Sequence, residues 1–303
     1  MKIERSTTLQ SICEQHYFPL RLTIRSDNTR YQYKLAINSF GEALGRIPTL
    51  SDLDDDAIAI WTGRLLDSGL AVDTVREKIG RVLALWAWLA RRGVVRRFPT
   101  TVKPPSPDPL PQAMTEDQLR ALFRSAAKER GLVAGIPADL WWTSFLAFVW
   151  TTSERKGAAM SVRLAWLDFE RATVAIPPDA RKGRRRWGIY RLWPQTIPLL
   201  KAVVAVQPTR ELVWPWEKNE ASYYTAYNRI LKDGGLPVTR KTKTHGLRCS
   251  HATHLKLAGG DPTRQLTHSD PAVTQRHYLD PRLMPQDQPP LFVPWEIKDV
   301  EGG

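Results

Sequence analysis

Thr100-Thr-Val-Lys-Pro-Pro-Ser-Pro-Asp-Pro-Leu-Pro111 carries five prolines in twelve residues. Such a run forbids a helix and favours an extended, semi-rigid strap. It divides the 303-residue chain in two, in keeping with about 150 residues per domain. The residues before it show helical punctuation and no strict alternation of a half-buried strand. Four helices are expected there. The first runs from Thr8 to about Arg21, and the second is capped by Asn28 and ends between Gly41 and Gly45. The third spans Leu53 to Leu66, and the fourth is capped by Asp73 and stops near Gly93. In the fourth, Val75, Ile79, Val82, Leu83, Trp86, Leu89 and Ala90 recur at three- and four-residue steps, while Arg76, Lys78 and Arg81 lie on another face.

After the strap, Thr115-Glu-Asp-Gln118 forms a capping box ahead of Leu119, Leu122 and Phe123. A buried helix follows over about Leu140 to Thr151. The period then changes, and Ala165 to Phe169, Thr173 to Ile176 and Trp187 to Leu192 read as a three-stranded antiparallel sheet. Helices resume over about Gln195 to Val204, Ala221 to Leu231, Thr244 to Lys256 and Pro271 to Tyr278. The fold class is therefore mainly α with a small antiparallel β-sheet, in two domains.

Composition narrows the function. The formal charge is +13, with 42% hydrophobic and 25% charged residues, so a foldable chain carries its excess charge on its surface and is drawn to polyanions. Residues 1–100 hold 15 basic and 11 acidic side chains and the remainder 29 and 20, so the second part is the more basic. The most apolar uncharged stretch, Leu140 to Ser153, is shorter than the roughly 20 residues of a spanning helix. The N-terminus shows no export signal, and Cys13 and Cys249 make no disulfide framework. A cytoplasmic protein that meets nucleic acid rather than membrane is expected.

Four islands of the second part carry chemistry. Thr151-Thr-Ser-Glu-Arg155 follows the buried helix; there Ser153 can cap a new helix, and Arg155 on its first turn makes an anion site. Asp179-Ala-Arg181-Lys182-Gly183-Arg-Arg-Arg186 is a basic tip between two strands, where a lysine on a turn can reach into a groove and protonate a leaving oxygen. Arg181, Arg184, Arg185 and Arg186 around it read as DNA contacts, as do Arg76, Lys78, Arg81, Arg240, Lys241 and Lys243. In Thr244-His245-Gly-Leu-Arg248, the i, i+3 spacing puts His245 and Arg248 on one helix face, able to grip one phosphate. Cys249, His251 and His254 follow, but i, i+2 positions do not share a face, which disfavours a metal site. The fourth island is Leu266-Thr-His268, leading to His277-Tyr278.

Together these islands resemble the tyrosine recombinase, or phage integrase, family: an Arg after a buried helix, a Lys between two strands, His-x-x-Arg, a later His and a terminal Tyr. Leu164-Ala-Trp166-Leu-Asp168 resembles the first-strand element that commonly follows the first Arg. Ala158 stands where the family often has an acid, and Thr267 where it usually has glycine. The resemblance implies a helical core-binding domain over 1–99, a linker over 100–112, a catalytic domain over 113–287 and a tail over 288–303. It implies site-specific cleavage and rejoining of double-stranded DNA, as in integration of a mobile element, through a covalent 3′-phosphotyrosine. Tyr278 is then the nucleophile, with His277 the adjacent alternative. Arg155 and Arg248 stabilise the phosphate, His245 is the base and Lys182 the acid, and His268 holds the phosphate or positions Tyr278. No cofactor or metal is implied, and the chain shows neither a phosphate-binding Gly-Lys-Ser/Thr loop nor a carboxylate cluster. Self-association into a DNA-bound tetramer is expected, with the apolar Leu291 to Trp295 docking on a neighbour or on its own core. A non-catalytic DNA-binding relative and a type IB topoisomerase relative are the competing readings.

Overall fold

The computed structural model describes residues 3–21, 26–108, 110–183, 186–206 and 208–284. Arg184, Arg185 and the tail over 288–303 lie outside these residues. The chain divides into two compact units between Pro107 and Asp108, inside the proline-rich segment.

The first unit is helical. α1 (Leu9–Ile12) passes through a π-helical turn, Cys13–Tyr17, into α2 (Phe18–Leu20). α3 (Asp27–Leu44) is capped by Ser26 rather than Asn28, because the Ser26 hydroxyl takes the Thr29 amide. α4 (Asp55–Asp67) is capped by Asp54. α5 (Val72–Arg91) has no side-chain cap, so Asp73 sits in its first turn and instead accepts from the Ser106 hydroxyl. Every apolar position named above for this helix is buried, and all but Ala90 belong to a core with Tyr17, Phe40 and Trp61.

The start of the strap is fastened to this unit. Asp55 receives the amides of Thr100 and Thr101 at 2.9 and 2.8 Å and both of their hydroxyls. Burial would raise its carboxyl, but these four bonds prevail and hold it down to about 2. Arg76 donates to the Pro104 carbonyl. The arginine is thus partly spent on the strap, and Arg81 is spent on Glu77, 3.2 Å away.

The second unit opens with α6 (Glu116–Ala126), whose Thr115/Gln118 capping box forms as expected. A short hairpin, β1 (Leu132–Val133) and β2 (Ile136–Pro137), precedes α7 (Ala138–Thr152). That hairpin escapes sequence reading because two-residue strands leave no period to detect. α7 is apolar on nearly all sides: Trp141, Trp142, Phe145 and Phe148 are buried against Trp214, Tyr223 and Tyr227. α8 (Lys156–Met160) follows, then the antiparallel sheet of β3 (Leu167–Asp168), β4 (Thr173–Ile176) and β5 (Gly188–Arg191) in that order. The remaining helices are α9 (Ile197–Val206), α10 (Glu220–Asp233), α11 (Thr244–Leu257), α12 (Pro262–Gln265) and α13 (Pro271–Tyr278). α13 packs along α11 through Thr253, whose hydroxyl donates to the Tyr278 carbonyl at 3.2 Å and accepts the Asp280 amide at 3.0 Å. Among the described residues, no helix is long and apolar enough to cross a membrane.

Candidate active site

α7 ends at Ser153, which closes the helix in a left-handed conformation, φ 52°. It does not cap the next helix; Arg155 occupies that position, with extended backbone and no side-chain cap. The turn aims the Ser153 carbonyl at Arg248, whose Nη1 donates to it. Arg248 lies on α11 and is fully buried. Its Nη2 donates to the Leu266 carbonyl at 2.9 Å and stands 3.3 Å from His268 Nε2, while its Nε has no partner. Because the arginine can only donate, His268 Nε2 accepts, and Nδ1 carries the proton toward Thr274 Oγ1, 2.9 Å away.

Tyr278, the last residue of α13, closes over this group. Its ring centroid is 4.7 Å from that of His268, 5.6 Å from that of His245 and 5.4 Å from Arg248 Cζ. The neighbouring His277 side chain is exposed, and its carbonyl faces Cys249 Sγ at 3.8 Å.

The electrostatics are those of an anion site. Withdrawal of water from part of the His245 ring, joined by the charges of Arg248, Arg240, Arg155 and Lys182, lowers its pKa to about 4. Burial and the charges of Arg248, Arg155 and His277 bring His268 to about 4 as well. Arg248 is itself pulled below the usual guanidinium value by burial and by Arg155. No ion pair among the described residues involves Arg155, Lys182, His245, Arg240 or Arg248. Four cations therefore converge with no direct ion pair among the described residues; the nearest carboxylate acting on Arg248, that of Glu154, is bonded to Arg181.

The loop before α11 is held against it by Gly246. A Cβ there would lie 1.8 Å from the Lys241 carbonyl oxygen, so only glycine admits this approach. Arg240 and Lys241 are exposed on that loop, and Lys243 Nζ sits 5.0 Å from the centre of the Tyr224 ring. Lys182 and Arg186 are exposed on the turn between β4 and β5.

Arg181 departs from the reading of that turn as a uniform DNA-facing run. It is buried in an ion pair with Glu154, with side-chain exposures of 6% and 1%, and so is no surface contact. The pairing is long-range in sequence, and a run of basic letters cannot show which of them turns inward. Glu154 and Thr274 were given no role from the sequence, and Thr267 was marked only as a replacement for glycine; a carboxylate directly after the buried helix and next to Arg155 was the visible signal for the first. Among the described residues no group of His, Cys, Asp and Glu could hold a metal ion. His251 is instead packed between rings, 5.4 Å from Trp150 and 6.0 Å from Trp193.

No protein-family model and no curated protein sequence matches the chain. Solved structures do. Lambda integrase, as a dimer bound to a COC′ core site, superposes with a TM-score of 0.70 at 13% identity, covering 97% of this chain and 100% of that one. Tn1549 transposon integrase in complex with a circular intermediate DNA gives 0.68 at 12% identity, covering 90% and 95%. XerH site-specific recombinase bound to its palindromic difH substrate gives 0.64 at 18% identity, covering 82% and 75%. The chain has the fold of these recombinases and integrases, mainly helical with small antiparallel sheets, and the resemblance read from its motifs holds at the level of fold.

Proposed function

We propose that the chain is a tyrosine-type site-specific recombinase that cleaves and rejoins double-stranded DNA through a covalent 3′-phosphotyrosine. The observation that carries this reading is the seating of Tyr278 against Arg248, His245 and His268, where the charges of Arg155, Arg240 and Lys182 also act. A phosphodiester supplies the missing negative charge. Arg155 and Arg248 would then stabilise the charge that gathers on its non-bridging oxygens at the transition state.

In the cleavage step the Tyr278 oxygen bonds to phosphorus, and the bond from phosphorus to the 5′ oxygen breaks. The phenolic proton passes to His245, which is neutral at pH 7 because its pKa is depressed. Lys182 donates a proton to the departing 5′ oxygen. His268, committed to Arg248 and Thr274, acts by positioning the Tyr278 ring. A second 5′ hydroxyl reverses the steps and rejoins a strand, so the bond energy is kept and no nucleotide is consumed. Arg186, Arg240, Lys241 and Lys243 would hold the phosphate backbone, with steep salt dependence. Exchange between two sites requires several protomers on DNA.

Incubation with random-sequence and host-element duplexes, followed by denaturing recovery of protein–DNA adducts, tests the reading. Adducts are expected from the wild-type chain and none from Tyr278→Phe. Binding without any adduct would make the chain a non-catalytic DNA-binding protein. Relaxation of supercoiled DNA with no joining between sites would make it a topoisomerase.

A further inference from the structure

One guanidinium outside the reacting set ties together the three segments that carry Arg155, Lys182 and His268. Arg181 Nε lies 3.2 Å from both Glu154 carboxylate oxygens, and its Nη2 lies 3.0 and 3.2 Å from the same pair. That Nη2 also donates to the hydroxyls of Tyr190 at 2.9 Å and Thr267 at 2.8 Å, and Nη1 donates to the Arg186 carbonyl at 3.1 Å. Glu154, Arg181 and Thr267 are each the residue immediately before a candidate reacting group.

The arrangement is built into the backbone at two places. A Cβ on Gly188 would stand 2.9 Å from Arg181 Nε and 3.0 Å from its Cζ, so the strand leaves a glycine-sized space for the guanidinium. Thr267 has φ 55°, a left-handed conformation that costs a branched residue free energy unless its surroundings hold it there. They do: its hydroxyl accepts from Arg181 and donates to the Leu266 carbonyl at 2.7 Å, the same carbonyl that receives Arg248.

We propose that Glu154, Arg181 and Thr267 are positioning residues, forming a clasp that sets the Lys182 turn and the His268 loop against Arg155 and Arg248 before DNA binds. A lysine on a turn crowded with like charge has many conformations available, and fixing the residue beside it removes most of them. The consequence for cleavage rests on the recombinase reading; the ordering of the two segments does not.

Hydrogen exchange on the DNA-free full chain tests the ordering. Removing Arg181 alone would strand Glu154 as a buried charge, so the test uses Glu154→Gln with Arg181→Gln, and separately Thr267→Ala. In the folded double variant, the amides of Arg181 and of 266–268, which are hydrogen-bonded to backbone carbonyls, are expected to exchange roughly tenfold faster or more, while those of α7 stay protected. Thr267→Ala should loosen only the segment at 266–268, and Thr267→Ser, which keeps the hydroxyl, should restore it.

Duplexes recovered as covalent adducts, resynthesised with a bridging 5′ phosphorothiolate at the mapped position, test the consequence. The double variant should cut the ordinary duplex about 100-fold more slowly at unchanged DNA affinity, the scale of a small misplacement of a reacting group. The thiolate, which needs no proton to leave, should recover the share owed to Lys182. Unchanged exchange at both segments in the folded double variant overturns the clasp. Equal impairment on the two duplexes overturns its action through Lys182. A wild-type chain that forms no adduct refutes the recombinase reading, and the exchange result still decides the clasp.

Discussion

The Arg248 guanidinium carbon stands 5.4 Å from the centre of the Tyr278 ring, and no hydrogen bond to the Tyr278 hydroxyl is made by the described residues. The ring is therefore held by its faces and edges, and the oxygen is left to react. Tyr278→Phe should keep the fold, with unfolding free energy within about 1 kcal/mol of wild type, and keep DNA affinity while abolishing the adduct. A denaturing gel beside a urea melt checks both. Adduct formed by the Phe variant would move the nucleophile elsewhere.

Arg155 and Arg248 should separate in stability though not in cleavage. Arg248 bonds two backbone carbonyls and His268 from a fully buried position. Arg248→Ala leaves those groups unpaired beside a cavity and should cost about 2–4 kcal/mol. Arg155 makes no ion pair among the described residues and acts on Arg248 as a like charge, so Arg155→Ala should leave stability unchanged or slightly improved. Both should slow cleavage by about 100-fold or more. Denaturant melts and single-turnover cleavage on one set of samples give the comparison, and a large loss of stability in Arg155→Ala would contradict the unpaired cluster.

Acid should weaken the fold above the range in which carboxylates protonate. Burial above all, with the charge of Arg248, lowers His251 and His268 to about 4, against about 6.5 in an unfolded chain; His245, exposed at the surface, adds little to the slope. Between those values the unfolded state binds more protons, so stability is fully present above about pH 6.5 and is lost as pH falls toward 4. His251→Phe keeps the ring between Trp150 and Trp193 and removes its titration, and should flatten part of that slope. Urea midpoints at pH 7.5, 6 and 5 measure it; equal midpoints at all three would refute the linkage.

Gly246 should tolerate no side chain. Alanine there meets the Lys241 carbonyl, which must move and take the basic loop with it. Overpacking of this kind costs about 1–3 kcal/mol. Gly246→Ala should lower the melting temperature and weaken DNA binding together, since Arg240, Lys241 and Lys243 share the displaced loop. Calorimetry and a binding titration test it, and a variant as stable as wild type would show that the loop yields freely.

What the sequence disclosed follows from range. α13 runs over Pro271–Tyr278 as read, and α7 and α11 differ from expectation by a residue or two at their ends, because proline, capping residues and apolar period act within a few positions. Tyr278, His245, Arg248 and His268, taken from separate islands of the sequence, lie within one cluster, and the order of the islands came from the family resemblance. Arg181 was not legible: its partner Glu154 is 27 positions away, and Arg181, Arg184, Arg185 and Arg186 look alike in a basic turn. Thr267 was visible only as a substitution for an expected glycine. That it keeps the left-handed backbone, with its hydroxyl engaged on both sides, depends on contacts no local pattern contains.

The burial of Arg181 sharpens what to expect of Lys182. Of the cations on the turn, Arg181 points inward to Glu154, while Lys182 is exposed and its charge reaches His245. Only a lysine there can both hold a proton at pH 7 and give it up, since a guanidinium hardly deprotonates. Lys182→Ala and Lys182→Arg should therefore slow cleavage of ordinary DNA alike, by about 100-fold or more. A substrate with a thiolate leaving group should be cut by both variants nearly as fast as by the wild-type chain. Single-turnover rates on the two duplexes decide the role. Full activity of Lys182→Arg on ordinary DNA would show that the position supplies charge alone, and equal impairment of Lys182→Ala on both duplexes would assign it to phosphate binding instead of proton transfer.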